Sequence, residues 1–213
     1  MRAAVLGAND GIVSTASLIV GVAAANASTH AILLAGVAAL VAGAMSMAAG
    51  EYVSVSAQSD SEAADLARER RELAEETEHE QDELTRIYMG RGVEADLARK
   101  VALQLMAHDA LGAHARDELG ISDLTAAKPL QAALTSAASF ATGAAVPLVV
   151  VMLSPLSIMI PATVGASLVC LVILGVVSAR TGGAQPLRAA LRVLTWGGLA
   201  MGITAAVGRL FGT

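Results

Sequence analysis

A single cysteine, Cys170, is present, so no intrachain disulfide can form and nothing about the redox compartment follows from it. Aromatic residues make up 2% of the chain, which leaves few anchors for a membrane interface. Charge is scarce too: Asp, Glu, Lys and Arg account for 15% of residues, against about 25% in an ordinary soluble domain. With 55% hydrophobic residues and a mean hydropathy of +0.62, an ordinary soluble domain is excluded. No nucleophile motif, phosphate loop or paired-cysteine motif occurs, so an enzyme is not expected. A formal charge of −5 gives no reason to expect a nucleic-acid partner.

What charge there is lies in one block. Of 19 Asp and Glu, 17 fall between Asp60 and Asp123 with eight Lys or Arg, so this interval carries −9 and the remainder +4. A polar insert is joined to a membrane body. Pro129 to Ala179 has no Asp, Glu, Lys or Arg, enough for two spans of about 20 residues. Ala3 to Gly50 has one formal charge, Asp10, and allows two more spans, and Leu191 to Leu210 allows a fifth. The expected fold class is an all-α membrane protein with five transmembrane helices and a three-helix insert between the second and third. Its domains would be residues 1–57 (helices 1 and 2), 58–127 (insert) and 128–213 (helices 3 to 5). A cleaved signal is not expected: Ala25-Asn26-Ala27 resembles a cleavage site, but Asp10-Gly11 interrupts the run where a signal is most apolar. Pro147 should break the third span. With Arg2 inside, the insert and the stretch from Arg180 to Arg192 share its side, and the opposite loops lack Lys and Arg; Arg209 is the exception. The expectation is a multi-pass plasma-membrane protein with a cytoplasmic insert.

Within the insert, Glu62, Asp65, Glu69, Glu72, Glu76, Glu80 and Glu83 recur every three or four residues, which places them on one face of a helix running to about Tyr88. Like charges one turn apart repel, so such a face is either solvated or collects cations. Gly90-Arg91-Gly92 ends that helix. A second helix is predicted from Val93 to about Met106, and a third around His108 to Leu119, ended by Gly120. The third carries His108, Asp109, His114, Asp117 and Glu118, which with the stripe could complete carboxylate sites for Fe²⁺ or Mn²⁺. His108 and His114 are six apart and do not share a helix face, so each taken alone reads as a surface histidine rather than a ligand. Glu76 and His79 form one Glu-x-x-His pair; a di-iron bundle needs two.

In the first span, Gly7, Asp10, Gly11, Ser14, Ser17 and Gly21 form a small, polar stripe that must face protein or water. Asp10 is an ionisable group within a span, costly to insert and a functional candidate on that ground, with a helix-packing hydrogen bond as the alternative. A carboxylate that takes a proton and a metal ion in turn is what exchange of the two requires. Met47 lies on the face that Gly36, Gly43 and Gly50 open to another helix. Its thioether either packs or serves as a soft ligand for transition metals. Glu51, near the inner end of that span, is either a staging point for ions or an interfacial charge.

GANDGIVST in the first span, MSMAAGEYVSVSAQSD closing the second, a helix carrying ERREL and then EQDEL, HARDELG and a terminal GRLFG together resemble the vacuolar iron transporter family, in its bacterial branch, over essentially the whole chain. The resemblance implies homodimers of five-span protomers in a lipid bilayer, moving Fe²⁺ and often Mn²⁺ out of the cytoplasm against protons, along a path between the two first helices. It implies that Asp10 is the transport carboxylate and Met47 the path methionine, and that Glu69, Glu72, Glu80, Glu83 and Glu118 hold metal in the insert. His114 and Ala115 stand where plant members carry two methionines, so Zn²⁺ or Co²⁺ should compete there. Thr77 stands where a proline often kinks the acidic helix, which should therefore run straighter, and Glu51 replaces a glycine. The expected function is proton-coupled export of Fe²⁺ and Mn²⁺; the alternatives are a metal-sensing membrane scaffold or a ferroxidase, both without transport.

Overall fold

The computed structural model describes residues 2–122 and 127–212, apart from the side chains of Arg2 and Ala3. Asp123 and the three residues after it, which close the acidic block, lie outside the described residues. The elements are α1 (Arg2–Ala24), α2 (Thr29–Glu75), α3 (Thr77–Gly90), α4 (Ala95–Asp117), α5 (Pro129–Leu153), a 3₁₀ turn (Leu156–Ile158), α6 (Met159–Thr181) and α7 (Pro186–Phe211). No strand occurs among the described residues. Five helices, α1, α2, α5, α6 and α7, are long and apolar enough to cross a membrane. The protein is an all-α membrane protein. It divides into two compact units, residues 1–52 with 130–213, and residues 53–129; α2 begins in the first and ends in the second.

In the membrane unit, the small stripe of α1 meets α5. A Cβ on Gly11 would fall on the backbone of Phe140 and Ala144, and one on Gly143 would fall on the carbonyl of Ala8, so the two backbones touch where only glycine fits. The glycine face of α2 is used in part: Gly36 lies against Leu148 and Ile19, Gly43 against the Phe140 ring, and Gly50 against nothing. Ile19, Ile32, Leu148, Val151 and Met159 form the apolar core beside these contacts. In the GRLFG motif, Gly208 and Gly212 bring the end of α7 onto the backbone of Gly21 and Ala25. Pro147 does not break its span: α5 runs through it from Pro129 to Leu153. The carbonyl that loses its partner there belongs to Gly143, and neighbouring helices hold such a site in place.

The second unit is built on Leu84, Ala102 and Ala113, flanked by Ile87, Tyr88, Leu105 and Met106. Gly92, at φ 92, makes the turn between α3 and α4. The acidic stripe is not one straight helix. It breaks at Glu76 (φ −130, ψ 42), between α2 and α3, although no proline is present. The Thr77 hydroxyl bonds back to the Leu73 carbonyl at 2.9 Å, an arrangement that bends helices. α4 is likewise two pieces, joined at a kink, because Asp109 is non-helical (φ −159, ψ 90) and its carboxylate accepts the Gly112 N–H at 3.0 Å as an internal cap.

Candidate metal centre

The break at Glu76 lets Glu69, at the end of α2, and Glu80, in the first turns of α3, face α4 from two helices rather than one. From α4 come His114 and, one turn on, Glu118. These four residues offer ligand atoms that all lie within 4.8 Å of one another. His114 Nδ1 is 3.0 Å from Glu69 Oε1, 3.6 Å from Glu80 Oε2 and 2.9 Å from Glu118 Oε2. His114 is fully buried, Glu69 and Glu80 are 2% and 4% exposed, and Glu118 closes the group at the solvent edge.

One ring proton cannot serve three carboxylates. Glu118 takes the Nδ1 contact. Glu69 Oε1, although close, has no hydrogen-bond partner, and neither does His114 Nε2. Buried polar atoms are normally satisfied, and buried carboxylates without partners are costly. A divalent cation removes the cost at the carboxylates: with the ring proton on Nε2, which keeps no partner, the Nδ1 lone pair and three carboxylate oxygens lie close enough together to share one ion. Burial, then the negative charge of Glu118, pushes Glu69 up to about 7, with Glu80 and Glu72 adding to the rise and His114 opposing it. Burial likewise raises Glu80, against the pull of His114. Without a cation Glu69 therefore keeps its proton up to about neutrality. One imidazole with three carboxylates suits Fe²⁺, Mn²⁺ or Zn²⁺ better than Ca²⁺.

The remaining expected ligands lie elsewhere. Glu72 and Glu83 are half-buried and contribute charge near the cluster without joining its close atoms, and Glu72 has Arg68 at 3.9 Å. His108 is exposed and Asp109 is spent on its cap. Asp117 accepts from Tyr88 Oη at 2.7 Å and Arg91 Nη1 at 2.6 Å. These bonds outweigh burial and hold it below the usual carboxylate range. Sequence reading missed Tyr88 and Arg91 altogether, since Arg91 stood only as part of a turn. In the membrane unit, Asp10 is exposed on α1, where its backbone carbonyl accepts the Ser14 hydroxyl at 2.6 Å, and Met47 and Glu51 are half-buried on α2.

A model of the VIT family matches residues 1–209. A protein of Acanthamoeba castellanii named vacuolar iron transporter is 50% identical over 211 residues, covering 99% of this chain and 78% of that protein. Vacuolar iron transporter homolog 1 of Oryza sativa subsp. japonica is 41% identical, over 100% of this chain and 74% of the relative. Vacuolar iron transporter homolog 2 of Arabidopsis thaliana is 35% identical, over 100% and 84%.

Proposed function

The chain belongs to the VIT family, and from that premise we propose that it exports Fe²⁺, and Mn²⁺ with it, from the cytoplasm across a membrane in exchange for protons. Iron transport is supported by relatives that match along nearly the whole chain and are named for it. The single observation carrying the cation chemistry is the buried group of Glu69, Glu80, His114 and Glu118, with its unpartnered Glu69 oxygen. In this proposal the insert lies in the cytoplasm and collects ions at that group, while Glu72 and Glu83 steer them in by charge. Ions then pass Glu51 and Met47 to Asp10. Zn²⁺ and Co²⁺ compete at the insert because the His114 imidazole stands there in place of a softer thioether.

Asp10 also supports a homodimer. It sits on an outward face of α1 between Leu6 and Ser14, and a carboxylate facing lipid costs about 3 kcal/mol on insertion scales. A second copy covering that face turns a liability into a two-carboxylate path. The relatives' names refer to the vacuole; export from the cytoplasm is the same vectorial step there or at the plasma membrane. A ferroxidase draws less support, since the cluster has one histidine and three carboxylates where di-iron bundles use two histidines and four carboxylates.

The test is metal uptake into proteoliposomes carrying an internal pH dye, for wild type and Asp10→Asn. Metal entry with matched proton exit, reduced at least about tenfold in the variant, is expected of a carboxylate made essential to the path. Unchanged flux in Asp10→Asn sinks the mechanism, and surface binding without entry leaves a scaffold.

A further inference from the structure

We propose that Tyr88 and Arg91, acting through Asp117, are positioning residues for the cation cluster, holding the last turn of α4 against α3 so that His114 and Glu118 meet Glu80. This rests on the cluster being a cation site.

The need for such a device follows from the kink at Asp109. Residues 110–117 form a short helical piece, separated from the longer first part of α4 by one non-helical residue. That piece carries His114 and runs directly into Glu118, so half of the ligands ride on a segment whose register the preceding helix does not impose. Its start is tied by the Asp109 carboxylate to the Gly112 N–H. Its end is tied by Asp117. Tyr88 Oη donates to Asp117 Oδ2 at 2.7 Å, Arg91 Nη1 to Asp117 Oδ1 at 2.6 Å, and Arg91 Nη2 to the Asp117 backbone carbonyl at 2.9 Å. The Arg91 guanidinium lies 5.3 Å over the Tyr88 ring, so the two donors brace each other.

This clamp joins the same two helices that bring Glu80 to His114 and Glu118. It grips the backbone of the residue next to Glu118 as well as its side chain, which sets where that ligand begins. Stability alone is a poor account of it. The α3–α4 contact already has its apolar core in Leu84, Ala102 and Ala113, and an ion pair whose arginine is half exposed adds little to folding. Ligand placement is far less forgiving, because metal–ligand distances tolerate about 0.2 Å. Neighbours that orient ligands are worth about 10- to 100-fold in metal affinity.

The experiment is Mn²⁺ titration of the full-length protein in detergent, alongside the unfolding midpoint of the metal-free form. Wild type, Arg91→Gln, Arg91→Lys, Asp117→Asn, Tyr88→Phe, the Arg91→Gln/Asp117→Asn pair and Leu84→Ala are compared, with Glu69→Gln as the ligand control. Arg91→Gln and Asp117→Asn are expected to weaken Mn²⁺ binding about tenfold or more, the pair no further than either alone, and Arg91→Lys less. Their metal-free midpoints should stay near wild type. Leu84→Ala should do the reverse, lowering the midpoint with less effect on Mn²⁺. Wild-type affinity in Arg91→Gln and Asp117→Asn overturns the proposal, as does weakening that merely follows the fall in midpoint across all variants, Leu84→Ala included. If wild type binds no Mn²⁺, or Glu69→Gln binds as wild type does, the cation-site reading fails and takes this one with it.

Discussion

Glu69, Glu80 and Glu118 crowd one imidazole nitrogen, and the proton that Glu69 retains there gives the protein a pH response of a definite sign. Its carboxyl sits at about 7 in the folded protein against 4.5 for a free side chain. Between those values the folded state binds more protons than the unfolded one, so stability falls as pH rises through that window. The contribution is whole below about pH 4.5 and gone above about pH 7. The metal-free protein in detergent is therefore expected to lose thermal stability across this range, and Mn²⁺ added near neutrality should recover it, because a cation replaces the proton. Glu69→Gln should flatten the slope. Midpoints followed by circular dichroism at stepped pH decide the matter: a wild-type midpoint that does not move would mean that Glu69 ionises as freely as an exposed side chain. The identity of His114 as the shared partner was readable only as one of several possibilities, since it and His108 look alike in sequence and differ only in burial.

Two helix interruptions decide which side chains converge. The sequence suggested a straight acidic helix because Thr77 replaces a kinking proline, yet the chain breaks at Glu76 and the stripe is split between α2 and α3. Periodicity counts positions along a helix and is blind to a single backbone torsion, which is why Glu72 and Glu83 looked equivalent to Glu69 and Glu80. The second interruption, at Asp109, was legible as the gap between a helix ending near Met106 and one beginning near His108. The role of Asp109 was not, because an aspartate beside a histidine reads as a ligand pair until its cap on Gly112 is seen. A Cβ on Gly112 would run into the Asp109 carboxylate. Gly112→Ala is accordingly expected to lose the cap, costing about 1 kcal/mol, and to weaken Mn²⁺ binding because His114 follows two residues later. Denaturant unfolding together with Mn²⁺ titration checks both effects, and an alanine that leaves the two unchanged would show that the kink does not hold the cluster.

For the whole molecule, the exposed face of α1 is the feature a single copy leaves unexplained. Leu6 and Leu18 are 66% and 39% exposed, with Asp10 and Ser14 between them on the same side. If a second copy covers this face, a cysteine placed at Ser14 in a protein with Cys170 replaced should form an intersubunit disulfide on mild oxidation, whereas one at Leu199 on α7 should not. Equal yields at both positions, or none at Ser14, would remove the dimer from the proposal. Five apolar helices, a polar insert between the second and third, and a stripe of carboxylates were all determined by the sequence alone. Hydropathy and helical period act locally, through water, lipid and the neighbouring turn. Which carboxylates share one nitrogen, that Asp117 is taken by Tyr88 and Arg91, and that Pro147 passes inside α5 were decided only by tertiary structure. Those outcomes depend on distances between helices far apart in the chain, and such distances follow from how glycine faces and buried side chains pack, which the order of residues along one helix does not express.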